Sequence, residues 1–232
     1  DKDRVILLGA NENKVFITGN LKFDISFEVF SCEEISNLKK FIKFNKRKIF
    51  VAGSTREGEE AILVDVFKNL KNTLLVIVPR HLERIEEVEN LLKSSNLTYQ
   101  KLTELELNPS LENFQVLIVD KIGVLRKFYS IADIVFVGGT LVNIGGHSLL
   151  EPLFYEKTPI FGPYLQNVKD ISKEILKLNL GYKINNKNDF LNTIKLLETT
   201  PVSKNKIKEF FKDNQNATEK TIKFMEDKWK ND

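Results

Sequence analysis

The sequence predicts an α/β fold, a Rossmann-like parallel sheet with helices on both faces. Two patterns carry that expectation. Short aliphatic and β-branched runs alternate with longer amphipathic stretches through most of the chain, as successive βαβ units do. The runs TLLVIVP (73–79) and DIVFV (133–137) are almost continuously apolar, as parallel strands are when both faces of a sheet are covered.

Taken in order, KVFITG (14–19) reads as a strand. Residues 32–44 read as a helix, because Ile35, Leu38, Phe41 and Ile42 fall at helical spacing. KIFVAGS (48–54) is a strand ending in a turn. Residues 57–70 form a helix that buries Ala61, Ile62, Val64, Val66, Phe67 and Leu70. After the strand 73–79 come a charged helix over 81–94, strands over 97–102 and 115–119, and a short helix over 125–131. The strand 133–137 leads to a helix over 147–155. A strand TPIFG (158–162), a helix over 168–178, a weak strand over 181–184 and a helix over 189–198 follow. The lysine-rich segment 202–229 reads as a terminal helix or helix pair with a solvated face.

Composition excludes several classes. The chain has 232 residues, 42% of them hydrophobic, enough for one large or two small domains with a core. A net charge of +3 from 35 basic and 32 acidic residues argues against a nucleic-acid binder. The single cysteine, Cys32, excludes an internal disulfide and fits a reducing compartment. No apolar run reaches the ~18–20 residues of a membrane span, and no signal-peptide pattern is present. With two histidines and one cysteine, widely separated, a metal site is not expected.

In parallel sheets, ligands sit beyond the carboxyl ends of the strands, so the residues that follow each strand are the candidates. After KIFVAGS, Ser54 and Thr55 are good helix caps, and Glu57, Glu59 and Glu60 suit the positive end of the helix dipole. The same helix start can face a phosphate. After TLLVIVP, Arg80 can grip a phosphate bidentately, and His81 reads as a helix cap or a general base. After DIVFV comes GGTLVNIGGHSLLEP (138–152). There the pairs Gly138, Gly139 and Gly145, Gly146 let the backbone turn, and free amides before the helix form an anion site. His147 and Ser148 add donors, and Glu151 can accept from the vicinal hydroxyls of a ribose. These residues point to a nucleotide-type ligand. The dinucleotide G-x-G-x-x-G, the phosphate loop G-x-x-x-x-G-K-[ST] and the hydrolase elbow G-x-S-x-G are all absent.

FITGNLKFD (16–24), GSTREGEE (53–60), VIVPRHLER (76–84), VGGTLVNIGGHSLLEP (137–152) and IFGPYLQN (160–167) together resemble, in the same order, motifs of the C-terminal half of the bacterial Kdo (3-deoxy-D-manno-octulosonic acid) transferases, glycosyltransferases of the GT-B architecture. Two positions depart from the pattern. Ser148 stands where the family has Asn, and Val124 in KIGVLRKFY stands where it often has Glu, so no polar ligand contact is expected from Val124. The resemblance implies an inverting transfer of Kdo from CMP-Kdo to lipid A precursor, without cofactor or active-site metal, at the cytoplasmic face of the inner membrane. It implies that Arg80 holds the phosphate or the cytosine edge. The amides around Gly145, Gly146 and His147 would stabilise the leaving phosphate, Glu151 would bind the ribose, and Ser54 and Thr55 would line the donor cleft.

Residues 1–24 are then expected to end an acceptor domain and pass into the donor domain. Residues 25–200 would be the CMP-Kdo-binding domain, and 201–232 a helix crossing back toward the acceptor side. Because the chain begins at Asp1, close to the interdomain motif, it is expected to be the donor domain alone, to bind CMP and to be inactive by itself, the general base lying elsewhere. Two other readings remain open: a UDP-sugar-dependent GT-B glycosyltransferase or epimerase, and a non-catalytic nucleotide-binding domain.

Overall fold

The structure, a computed structural model, describes residues 2–42, 47–109 and 113–229, and the end of the predicted helix 32–44 lies outside the described residues. Residues 28–207 form one compact unit. Residues 2–27 and 208–229 form a second.

Helix α1 (Lys2–Leu7) belongs to the second unit. The larger unit runs α2 (Cys32–Phe41), β1 (Lys48–Thr55), α3 (Glu59–Phe67), β2 (Thr73–Pro79), α4 (Ile85–Ser94), β3 (Tyr99–Lys101), α5 (Leu102–Leu107), β4 (Val116–Ile118), α6 (Leu125–Ile131), β5 (Ile134–Val137), α7 (Leu150–Phe154), β6 (Pro159–Phe161), α8 (Lys169–Lys177), β7 (Tyr182–Lys183) and α9 (Lys187–Thr199). Helices α10 (Lys204–Asn214) and α11 (Ala217–Trp229) follow.

The seven strands make one parallel sheet in the order β3-β4-β2-β1-β5-β6-β7. From β1 the chain builds outward on one side, then returns to lay β5 against the other side of β1. The strand order therefore reverses between β1 and β5, where a crevice opens beyond their carboxyl ends. Phe50 sits opposite Leu75 of β2 and Ile134 of β5, which fixes the register at the centre.

On one face Phe50, Ala52, Leu75, Ile77, Ile118 and Phe136 pack against Leu63, Val66 and Phe67 of α3, Val88 and Leu92 of α4, and Phe190 and Ile194 of α9. Phe190 meets Phe50 edge-on at 5.5 Å and Phe136 at 5.7 Å. Helix α6 packs on β1 from the other face and carries α2 and α7 with it. Both faces are covered, which is why β2 is buried along its whole length.

Several elements depart from the sequence reading. Residues 14–19 form no strand: a 3-10 turn over Glu12–Lys14 runs into irregular backbone, and Ile17 is 76% exposed. β-branched residues favour a strand only where a ladder partner and a packed face exist. Helix α5, absent from the sequence reading, starts directly after β3 and buries Leu102 and Leu105. Ser54 and Thr55 are not caps. They remain in β1, and α3 begins only after Gly58, whose φ is +87°. Helix α7 starts at Leu150, so His147 and Ser148 precede it.

In the second unit Phe23 is buried, with Phe210 edge-on at 5.2 Å and Phe211 at 6.1 Å. The Asp24 carboxylate accepts from the amides of Asn216 (2.8 Å) and Thr218 (2.6 Å), and so caps α11. The lysine-rich segment is thus a helix pair, broken at Asn216, whose φ is +70°. Among the described residues, no helix is long and apolar enough to cross a membrane.

Candidate functional site

The crevice between β1 and β5 opens into a cavity of about 540 Å³ lined by Ser54, Arg80, His147, Ser148 and Glu151, with Glu28, Arg126 and Tyr129 also in its wall. Five of the residues named from the sequence meet there, although they come from three separate segments of the chain.

The strand ends bring them together. β1 slips register against β2 between Gly53 and Thr55, and Ser54 there takes φ +54°, a left-handed conformation that a serine adopts under local strain. That kink turns Ser54 toward the cavity while Thr55 is fully buried, so Thr55 does not line the cleft as expected. The ends of β1 and β5 approach closely. Gly138 N–H donates to Gly53 O at 2.8 Å, and a Cβ on residue 138 would lie 2.3 Å from Ser54 O. Only glycine fits there.

The expected anion site of main-chain amides around Gly145, Gly146 and His147 has two of its donors taken by the fold. Gly146 N–H donates to Gly139 O (2.7 Å) and His147 N–H to Gly138 O (3.3 Å). Gly145 and Gly146 are buried in the turn with φ of +103° and +86°. The amides after β5 are also taken. Glu59 Oε2 accepts from Gly139 N–H (2.8 Å), and Oε1 accepts from Thr140 N–H (2.9 Å) and Leu141 N–H (2.8 Å). Glu59 Oε2 further accepts from Arg56 N–H at 2.9 Å. The sequence suggests a helix-dipole residue at this position; the structure shows a fully buried carboxylate that joins the loop after β1 to the loop after β5. Burial raises its pKa, and the amide donors act in the opposite sense. Thr140 Oγ1 completes the turn, donating to Val137 O (2.6 Å) and accepting from Gly162 N–H (2.8 Å). The four glycines therefore shape the loop and do not line the cavity. Among the described residues, no acceptor takes the amide of Ser148.

Side chains supply the positive charge instead. Arg80 lines the cavity, its own amide held by Thr55 O at 3.0 Å. Behind it Arg56 donates through Nε to His147 Nε2 at 3.3 Å and through Nη1 to His81 Nε2. The His147 pKa falls to about 4, because of burial first and then the charges of Arg56 and Arg80 and the His81 ring. His147 is thus neutral at pH 7. His81 does not line the cavity; it adjoins Arg56 on one side and Glu83 on the other, at 3.4 Å.

At the far end Glu151 faces Arg126 Nη2 at 3.4 Å. Beneath them Tyr129 is buried, its hydroxyl raised well above the usual range by burial and then by Glu151. A Cβ at residue 53 would lie 2.1 Å from that hydroxyl oxygen, so Gly53 makes room for Tyr129. The cavity wall carries the guanidinium groups of Arg80 and Arg126 and the carboxylates of Glu28 and Glu151, groups able to meet a phosphate and hydroxyls. Val124 lines a different, mostly apolar hollow beside α2, so it offers this cavity nothing.

Sequence reading misses Arg56 and Arg126, and it gives Glu59 only a place at the helix dipole. Arg56 and Glu59 lie inside the TREGEE segment and are legible as residues, but the loops they reach are 80 or more positions away. Arg126 carries no local signal beyond its place early in a helix. Arg84, in the VIVPRHLER segment, serves the fold, holding the buried Glu60 bidentately at 2.7 and 3.2 Å.

The parallel sheet, its strand order and the crevice at the reversal define a Rossmann-like domain of the kind that forms half of a GT-B glycosyltransferase. The C-terminal CMP-Kdo binding domain of WaaA from Acinetobacter baumannii has the same fold, with a TM-score of 0.69 and 22% identity over 79% of this chain and 97% of that one. The Anabaena HepE protein in complex with UDP and glucose shares the fold at a TM-score of 0.57 and 12% identity, over 97% of this chain and 59% of that one. No family model matches the chain. By sequence the chain is similar to proteins named 3-deoxy-D-manno-octulosonic acid transferase. It is 36% identical over 192 residues to that of Haemophilus influenzae, covering 81% of this chain and 44% of the relative. It is 33% identical over 208 residues to that of Aquifex aeolicus, covering 88% and 52%. A bifunctional glycosyltransferase/methyltransferase of Fusobacterium nucleatum is 54% identical over 215 residues, 93% of this chain and 34% of that protein. The chain thus spans from a third to about half the length of these relatives.

Proposed function

We propose that the polypeptide containing this chain transfers Kdo from CMP-Kdo to a lipid A precursor in lipopolysaccharide biosynthesis, at the cytoplasmic face of the inner membrane, and that this segment holds the donor. One observation carries the reading: Arg80, His147, Ser54 and Ser148 converge with Glu151 on a single cavity at the point where the strand order reverses. In this reading the CMP phosphate lies against the Arg80 guanidinium and the two serine hydroxyls. His147, neutral, donates to the oxygen on which charge grows as the sugar departs. Glu151 accepts from the ribose hydroxyls, with Arg126 holding its carboxylate in place. The transfer inverts the anomeric centre and draws its positive charge from arginines and not from a metal ion. Its general base belongs to the acceptor-binding half, so this chain by itself binds CMP without transferring sugar.

Titration calorimetry of CMP against UMP tests the proposal. Tighter binding of CMP, weakened at least about tenfold by Arg80→Ala, is the expected result, one hydrogen-bonded ion pair being worth about that much. Preference for UMP, or an Arg80→Ala variant that binds like the parent, would overturn it.

A further inference from the structure

Arg56 stands between two imidazoles. Its Nε donates to His147 Nε2 at 3.3 Å, and its Nη1 lies against His81 Nε2. A guanidinium has five N–H donors and no acceptor, so both Nε2 atoms must accept. Each ring then carries its proton on Nδ1. For His81 that proton faces Glu83 Oε1 at 3.4 Å. For His147, among the described residues, no protein acceptor takes it, while the ring itself forms part of the cavity wall. The geometry is held from behind. The Arg56 amide is fixed by Glu59, and the His147 ring is wedged against Gly139, where a Cβ would lie 2.9 Å from Cδ2.

We infer that Arg56 is a positioning residue that fixes His147 in its Nδ1–H tautomer, so that the imidazole offers the cavity a hydrogen-bond donor and not an acceptor. An unconstrained neutral imidazole can hold its proton on either nitrogen, and an Nε2–H form would leave a lone pair facing an anionic ligand. By occupying Nε2 from the protein side, Arg56 removes that alternative. The identity of the ligand rests on the proposed function. The tautomer does not.

Two measurements on the whole chain separate these parts. Two-bond ¹H–¹⁵N correlation of labelled protein at pH 7 reads the His147 tautomer directly, with no ligand present. A single Nδ1–H species in the parent, giving way to a mixture or to Nε2–H in Arg56→Ala, is expected. An Nε2–H ring in the parent would overturn the inference. Calorimetry with CMP then reads the consequence. Arg56→Ala should weaken binding about tenfold, the weight of one hydrogen bond to a charged group. His147→Asn removes the imidazole while its amide N–H stands near the Nδ1 position, and whatever affinity it keeps is the reference for the next variant. In that background Arg56→Ala should change it less than about twofold, because Arg56 acts through the ring. A full tenfold loss in the His147→Asn background would instead place Arg56 on the ligand itself and sink the positioning role. If the parent fails to bind CMP at all, the proposed function falls while the tautomer reading stands on the resonance data.

Discussion

Replacing Glu59 by alanine should cost more stability than any other change at one polar side chain of the site. The carboxylate is fully buried and accepts from four amides, those of Arg56, Gly139, Thr140 and Leu141, at 2.8 to 2.9 Å. Gly139 and Thr140 are buried, so without Glu59 their N–H groups have no route to water. Each orphaned buried donor costs about 1–3 kcal/mol, which gives about 2–6 kcal/mol for the pair. The Arg56 and Leu141 amides are half-buried and can turn to solvent at little cost. Removing a carboxylate whose burial raises its pKa returns part of the loss, so the lower half of that range, about 2–4 kcal/mol, is expected. Against a typical domain stability of about 5–15 kcal/mol this is a large fraction. Urea unfolding followed by far-ultraviolet circular dichroism measures it as a lower midpoint at unchanged slope. Glu59→Gln keeps one carbonyl acceptor for one pair of amides and sets an NH₂ against the other, so its midpoint should fall between those of the parent and the alanine variant. An alanine variant within about 0.5 kcal/mol of the parent would show that the loops after β1 and β5 hold their positions without this link.

Other changes follow from the same geometry. Gly138→Ala should destabilise by several kcal/mol or fail to fold, since a methyl there would lie 2.3 Å from Ser54 O and backbone must move; the unfolding midpoint checks it. Phe190→Ala empties the contact between α9 and the sheet and should cost about 3–5 kcal/mol in the same assay, with CMP affinity kept in whatever fraction stays folded. His147 should titrate near pH 4 by NMR, and its midpoint should rise in Arg56→Ala, because Arg56 both accepts no proton and repels the imidazolium. Its folded pKa lies below the unfolded value of about 6.5, so the stability it contributes is complete above that pH and is lost as pH falls toward 4.

How far the fold and site can be read in advance depends on distance along the chain. The sheet is legible because each strand declares itself locally. TLLVIVP and IVFV are apolar on both faces, and the structure places them as β2 and β5, within a residue of their expected limits. Residues 14–19 mislead for the same reason: their β-branched composition is a local signal, and no neighbouring strand answers it. At the site, the loop positions follow from the rule that ligands sit beyond strand ends, and Ser54, Arg80, His147, Ser148 and Glu151 do face one cavity. What the sequence does not disclose is which groups are already satisfied. Gly146 and His147 look like free amides because their acceptors, the carbonyls of Gly139 and Gly138, are reached only once the loop has closed. Glu59 looks like a dipole residue because three of the amides it holds lie 80 to 82 positions away. With the amides of Gly139, Thr140, Leu141, Gly146 and His147 committed to the fold, the positive charge in the cavity wall comes from the side chains of Arg80 and Arg126 and not from the glycine loop.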